Sequence, residues 1–281
     1  MFTGSELVAA LFGVTSAVMW GIGDFSGGLA TRRISALTVT LLVEGVGLVV
    51  LLLVALAWGE PLPVWPDFWW SGAGGVLGLF GLMALYRAMA LGQMGLAAPV
   101  TAVLAAGLPV IVSIATQGFP HFFHLVGLVT ALLGIWLISR PQGQVGRPAG
   151  LGLAVAAGIG FGGYLVCLAQ VETGAILWPV AIARAVSIIL ILGLALAGRR
   201  LIKPSTAMLP LILLAGVMDT GGNTFFVLAE QAGRLDVAGT LSSLYPAVTV
   251  LLALLILKEK LTRVQGLGVL LALLAIPLIV S

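Results

Sequence analysis

Polar residues interrupt this chain every twenty to thirty positions or so, and between the interruptions the apolar runs are unbroken. Stretches such as "VEGVGLVVLLLVALAW" and "AVTVLLALLILK" lack the two-residue alternation of a barrel strand, so they read as helices. Ten such segments appear, at about 6–30, 36–57, 68–91, 95–117, 121–139, 149–171, 175–197, 207–229, 235–257 and 262–280. Each holds about 19 to 25 residues, enough to cross roughly 30 Å of hydrocarbon at about 1.5 Å per residue. The breaks carry proline, glycine or charge, as in "TRRIS", "GEPLPVWPD", "RPQGQVGRP" and "GRRLIKPS".

Composition says which solvent these helices meet. Of 281 residues, 60% are hydrophobic and 8% charged, against about 25% charged in soluble domains. Too few charges remain to cover a water-exposed surface, so the chain reads as an all-α polytopic membrane protein. The N-terminus "MFTGSELVAALFGV" has no basic leader, and no cleaved signal peptide is expected. Cys167 is the one cysteine, which excludes an intramolecular disulfide. A net charge of +3 says little about nucleic acid, and none is expected as a partner.

Charge does set orientation. All but two of the thirteen basic residues fall in or beside the odd-numbered loops; the exceptions are Arg184, inside a span, and Arg234. Glu6, Glu60, Asp67, Glu172, Glu230 and Asp236 fall on the other side. The positive-inside rule places the odd loops in the cytoplasm and both termini outside, in a bacterial inner membrane. Trp58, Trp65, Trp69, Trp70 and Trp178 then form an outer interfacial belt.

The chain also aligns with itself at an offset of about 137 to 140 residues. "TLLVEGVGLVVLLLVALAWG" lies against "PVAIARAVSIILILGLALAGR", and "GLAAPVTAVLAAGLPVIVSI" against "RLDVAGTLSSLYPAVTVLLA", with Pro109 matching Pro246. Five spans per half make the halves inverted, 1–140 and 149–281, with a cytoplasmic linker at 141–148. Inverted repeats of this kind build secondary transporters with a site near midplane at the repeat interface.

"ALYRAMALGQMGLAAPVTAVLAAGLPV" and "LSSLYPAVTVLLALLILKEKLTRVQGLGVLLALLAIPLI" resemble the drug/metabolite transporter superfamily, EamA type, and "WGIGDFSGGLATRR" resembles the first helix of one of its subgroups. The resemblance implies ten helices as two inverted five-helix repeats, a central cavity lined by the first four helices of each half, and transport of small metabolites, often export of amino acids or related compounds. The first half departs from the pattern: "TQGFPHFFH" stands where the second has "LKEKL".

Charge inside hydrocarbon is the strongest functional signal, at about 2.5 to 3.5 kcal/mol per group. Asp24, Glu44, Arg184 and Asp219 are the candidates. Asp219, with Asn223 one turn on, reads as an amine anchor, a titrating carboxylate or an interhelical clamp. Glu44 and Arg184 occupy equivalent repeat positions, yet inversion puts them in opposite membrane halves, so no direct pairing is implied. Arg184 reads either as a carboxylate ligand or as a brace for backbone carbonyls. Arg87 can snorkel from near a span end. Trp20, Tyr164 and Tyr245 are candidate cavity walls, and Pro99, Pro109 and Pro246 mark gate or kink positions. Asp24, about 12 Å before Arg32 along its helix, cannot reach the surface and needs a partner, water or a proton.

Gly158, Gly160 and Gly163 match G-x-G-x-x-G without the strand that a dinucleotide site needs, and no Walker motif appears. His121 and His124 are expected to pack at the interface without an acid partner, so neither metal nor cofactor is expected. No catalytic set is visible, so an enzyme is not expected. The leading function is a monomeric secondary transporter surrounded by lipid, moving small molecules by alternating access with proton coupling or by facilitated diffusion. The alternative is a carrier or scramblase for lipid-linked groups.

Overall fold

The continuous apolar runs fold as helices throughout a computed structural model that describes residues 4–31, 33–90, 94–138, 150–171, 174–197, 206–256, 258 and 262–280. The helices are α1 (Gly4–Thr31), α2 (Ala36–Trp58), α3 (Trp65–Ala90), α4 (Met94–Gln117), α5 (Phe122–Ile138), α6 (Leu151–Leu168), α7 (Leu177–Leu196), α8 (Leu209–Ala232), α9 (Leu235–Ser242), α10 (Tyr245–Ile256) and α11 (Arg263–Val280). Among the described residues, six helical segments are long and apolar enough to cross a membrane: Ser5–Thr31, Ala36–Trp58, Trp65–Leu85, Leu177–Leu196, Thr206–Ala232 and Leu235–Ile256. Thr101–Gln117, Phe122–Leu137, Gly152–Leu168 and Arg263–Ile276 are shorter apolar helices. The expected linker 141–148 and the Glu-Lys of "LKEKL" lie outside the described residues.

Local chemistry sets the helix ends. Ser35 opens α2 by accepting the Thr38 amide at 3.3 Å, and Gly59 closes it in the left-handed region, at φ 70°, where a side chain would be strained. One end departs from expectation. The span expected as a single helix over 235–257 is two, α9 and α10, with a turn at Ser243 and Leu244. Pro246 supplies the reason: it has no amide to return to Ser242, and its ring crowds that carbonyl, so α10 starts around it. In α4 the helix runs unbroken through both Pro99 and Pro109.

The side-chain distribution is inside-out. Leu7, Leu11, Val49, Leu53, Leu56, Ile189, Leu196, Leu255 and Leu273 are exposed on the outer faces, while Ser16, Thr101, Ser113, Asp236, Thr240 and Ser242 are buried. Such continuous apolar exposure belongs in lipid. Trp58, Trp65, Trp69 and Trp70 are exposed at one end. Trp178, at the start of α7, is half-buried, and its indole donates to the Glu60 carbonyl at 2.9 Å.

Helix packing shows how the halves relate. Helix α1 packs on α8 and α3 on α6; α2 packs on α8 and α3 on α7; α4 packs on α6, and α1 on α9 and α10. The pairs α2 with α7, α4 with α9, and α5 with α11 complete the most extensive pairings. Exchanging α1–α5 with α6–α11, α4 answering α9 and α10 together, leaves these pairings unchanged, as a two-fold relation between repeats requires.

Helices α5 and α11 approach most closely where side chains are absent. A Cβ on Gly127 would lie 2.7 Å from the Ile279 amide nitrogen, and one on Gly134 would lie 2.9 Å from that of Ala272. Small residues of this kind carry helix association where lipid supplies no hydrophobic drive. Gly127→Leu is therefore expected to destabilise the protein by about 1–3 kcal/mol, read as a lower melting temperature in detergent. Leu133→Ala, on the exposed face of α5, should leave it unchanged.

Candidate functional site

Glu44 and Arg184 stand 140 positions apart, the repeat offset itself, and they meet where α2 crosses α7. Arg184 Nη1 lies 3.1 Å from Glu44 Oε2, and its Nη2 donates to Asp219 Oδ2 on α8. Inversion, which puts the two in opposite membrane halves, implies no direct pairing; the structure nevertheless brings them together. Each is only two or three residues from the middle of its helix, so the depth difference is about 8 Å. A long arginine stem spans that. Two-fold mates are far apart only when they lie far from the axis, and this pair lies near the middle of both helices.

The guanidinium needs room, and Gly47 supplies it. A Cβ at Gly47 would lie 2.7 Å from Arg184 Cζ and 2.8 Å from its Nε, and would collide with Thr220 Oγ1. Arg184 is 3% exposed. Asn223 Nδ2 donates to the Asp219 carbonyl at 2.8 Å and to its Oδ2 at 3.3 Å, which orients the carboxylate toward Arg184. Ser187, one turn from Arg184, donates to the Gly75 carbonyl at 3.0 Å and ties α7 to α3.

This cluster forms one wall of a cavity of about 120 Å³ between the halves. Eight sequence candidates line it: Trp20, Asp24, Glu44, Tyr164, Arg184, Asp219, Asn223 and Tyr245. The structure also places Phe161, Leu82, Ser187 and Ser243 there. Arg87 is the exception: it is exposed near the end of α3 and does not line the cavity. Asp24 is exposed and lines the cavity, and it has no hydrogen-bond or ion-pair partner among the described residues. Trp20 stacks on Phe226 at 6.2 Å between centroids and meets Tyr245 edge-on at 6.2 Å.

Of the gate candidates, Pro246 adjoins the Ser243–Leu244 turn at the cavity edge. Pro109 abuts α9, where a Cβ on Gly239 would lie 2.6 Å from the proline Cβ. Pro99 lies within α4, and its side chain is outside the described residues.

The cavity draws on the end of the bundle where α1 finishes and α2 starts; the opposite end is closed. Leu51, Leu168, Val180, Phe226, Val227 and Leu235 pack together there. Glu60 accepts the amides of Ile176 at 2.9 Å, Leu177 at 2.9 Å and Trp178 at 3.2 Å, so a residue from the α2–α3 connection caps α7. Arg234 donates to Asp236 at 2.9 Å and to the Gly118 carbonyl at 2.9 Å. His124 Nε2 lies 3.7 Å from buried Asp236, so the expectation that this histidine lacks an acid partner is corrected. No group of three metal-ligating side chains occurs among the described residues.

Sequence reasoning missed Gly47, Ser187 and the capping role of Glu60. The signal for Gly47 was in hand, since it sits one turn after Glu44 on the same helical face.

A sequence model described as the EamA-like transporter family matches residues 7–140 and again 148–281. An uncharacterised protein of Methanocaldococcus jannaschii is 31% identical over 129 residues, which cover 46% of this chain and 93% of that protein. That relative is thus about as long as one repeat. A solved crystal structure superposes with TM-score 0.78 over 96% of this chain and 95% of its own, at 20% identity, and shows the fold alone.

The three-charge cluster makes an internal prediction. Arg184→Met removes a buried cation from between two half-buried carboxylates and should cost about 1–3 kcal/mol. Adding Glu44→Gln and Asp219→Asn to Arg184→Met should recover a large part of that loss, read as melting temperatures across the series.

Proposed function

The chain belongs to the EamA-like transporter family, and on that footing we propose that it is a secondary transporter of small polar or amphiphilic metabolites, amino acids and related compounds, working by alternating access. A charge-lined cavity between the two repeats, closed at one end, is the observation that carries this reading. The proposed topology has ten spans, α9 and α10 sharing one, with the odd loops cytoplasmic and both termini outside an inner membrane. In that frame the cavity faces the cytoplasm, and loading from that side fits export. The protein needs no second copy to complete the cavity and works as a monomer.

The repeats supply a route to the opposite state. In inverted-repeat transporters each half can take the shape now held by the other. Here α9–α10 is broken before Pro246 while α4 is continuous through Pro109. Exchange would straighten the first and bend the second near Gly107, where an added Cβ would meet nothing within 4 Å. Pro246→Ala restores an amide at the break and is expected to slow transport several-fold without lowering the melting temperature.

Proteoliposomes loaded with a metabolite panel, with and without a pH gradient, test the main reading. Efflux of one water-soluble compound class is expected. Lipid flip without any such efflux would instead favour a carrier for lipid-linked groups. If transport is coupled to protons through this cluster, Asp219→Asn should abolish its dependence on the gradient; unchanged gradient-driven flux would remove Asp219 from that role.

A further inference from the structure

The two repeats carry the same tripeptide at the same crossing and then diverge. Gly21-Ile22-Gly23 in α1 recurs as Gly158-Ile159-Gly160 in α6. A Cβ on Gly23 would lie 3.1 Å from the Asp219 amide nitrogen of α8, and one on Gly160 would lie 2.7 Å from the Gly81 Cα of α3. These crossings are mates under exchange of the halves. The residue after the tripeptide is Asp24 in one and Phe161 in the other. One crossing therefore gives the cavity an acid, and its mate gives an aromatic ring.

Charge on the cavity wall is unbalanced in the same sense. Three acids line it, Asp24, Glu44 and Asp219, against the single base Arg184 among the described lining residues. Arg184 is already engaged: one terminal nitrogen serves Glu44 and the other Asp219, while its Nε, which has no partner, abuts Gly47 on α2. A ligand carboxylate would have to approach it past those two acids, and Arg184 is 3% exposed. Asp24 meets a ligand without that obstacle. Its carboxylate is unpartnered, open to the cavity, and one turn from Trp20, whose ring meets Tyr245 edge-on. A carboxylate beside aromatic faces is a receptor for an ammonium group.

Size narrows the ligand further. A cavity of about 120 Å³ is somewhat smaller than the roughly 150 Å³ that accommodates benzene. Resting on the transporter reading above, and narrowing its substrates from amino acids and related compounds to amines, we propose that the substrate is a compact amphiphilic amine, its ammonium on Asp24 and its apolar part toward Phe161, rather than a carboxylate or a zwitterionic amino acid. Asp24 is thus the specificity-determining residue.

Calorimetric titration of the detergent-solubilised full chain with propylamine, 1-propanol, propionate and alanine tests this. Propylamine is expected to bind, and the other three to bind at least tenfold more weakly. Asp24→Asn should weaken propylamine by about tenfold to a hundredfold, the range for losing a hydrogen bond to a charged group, and Asp24→Glu should retain most of the affinity. Tighter binding of propionate or alanine than of propylamine overturns the proposal, as does unchanged propylamine affinity in a folded Asp24→Asn chain. Should that variant not fold, the ligand preference of the unaltered chain decides alone. Amino-acid efflux from proteoliposomes without amine efflux overturns only the amine assignment, whereas no efflux of any soluble compound overturns the transporter reading beneath it.

Discussion

A guanidinium near the middle of a membrane has no water to hold it, and the centre of this fold follows from that constraint. Arg184 is tolerable because Glu44 and Asp219 reach it from two other helices and Gly47 leaves space for its plane. The three charges fix how close α2, α7 and α8 lie, and therefore where the cavity opens between the halves. Asn223 and Ser187 extend the same network to the backbones of α8 and α3. Held by Glu44 and Asp219 and 3% exposed, the arginine acts as a strut, and the recognition chemistry passes to groups around it.

The spans were legible because lipid demands long apolar runs and leaves little to tertiary context. Expected and observed ends agree to within about one helical turn. The turn at Ser243 and Leu244 was not legible. A proline inside a helix and a proline that starts one look alike in sequence, and α4 and α10 resolve the same residue in these two ways. The Glu44–Arg184 pair was missed for a different reason. Depth was reckoned from backbone position alone, and the difference lies within reach of an arginine side chain. Arg87 shows the converse, since its nearness to a span end already implied an exposed side chain.

The halves share their helix pairings and differ in their chemistry. Where the second repeat has Arg184 the first has Glu44, and where the first has Asp24 the second has Phe161. A symmetric frame with asymmetric contents separates two demands that would otherwise conflict. The packing small residues, such as Gly23 and Gly160, hold the crossing geometry in both halves, and their neighbours differ at the cavity wall without altering it.

Glu60 carries a mechanical consequence. It belongs to the connection between α2 and α3, yet it holds the first amides of α7, while the Trp178 indole returns a bond to its carbonyl. Helix α7 is therefore pinned at its tip to the first repeat, and Arg184 at its centre is held by Glu44 of that same repeat as well as by Asp219 of its own. It is a lever whose fulcrum and grip lie in the same opposing half, so tilting it drags the α2–α3 turn along. The Glu60 cap thus ties the position of α7 to that of the α2–α3 connection.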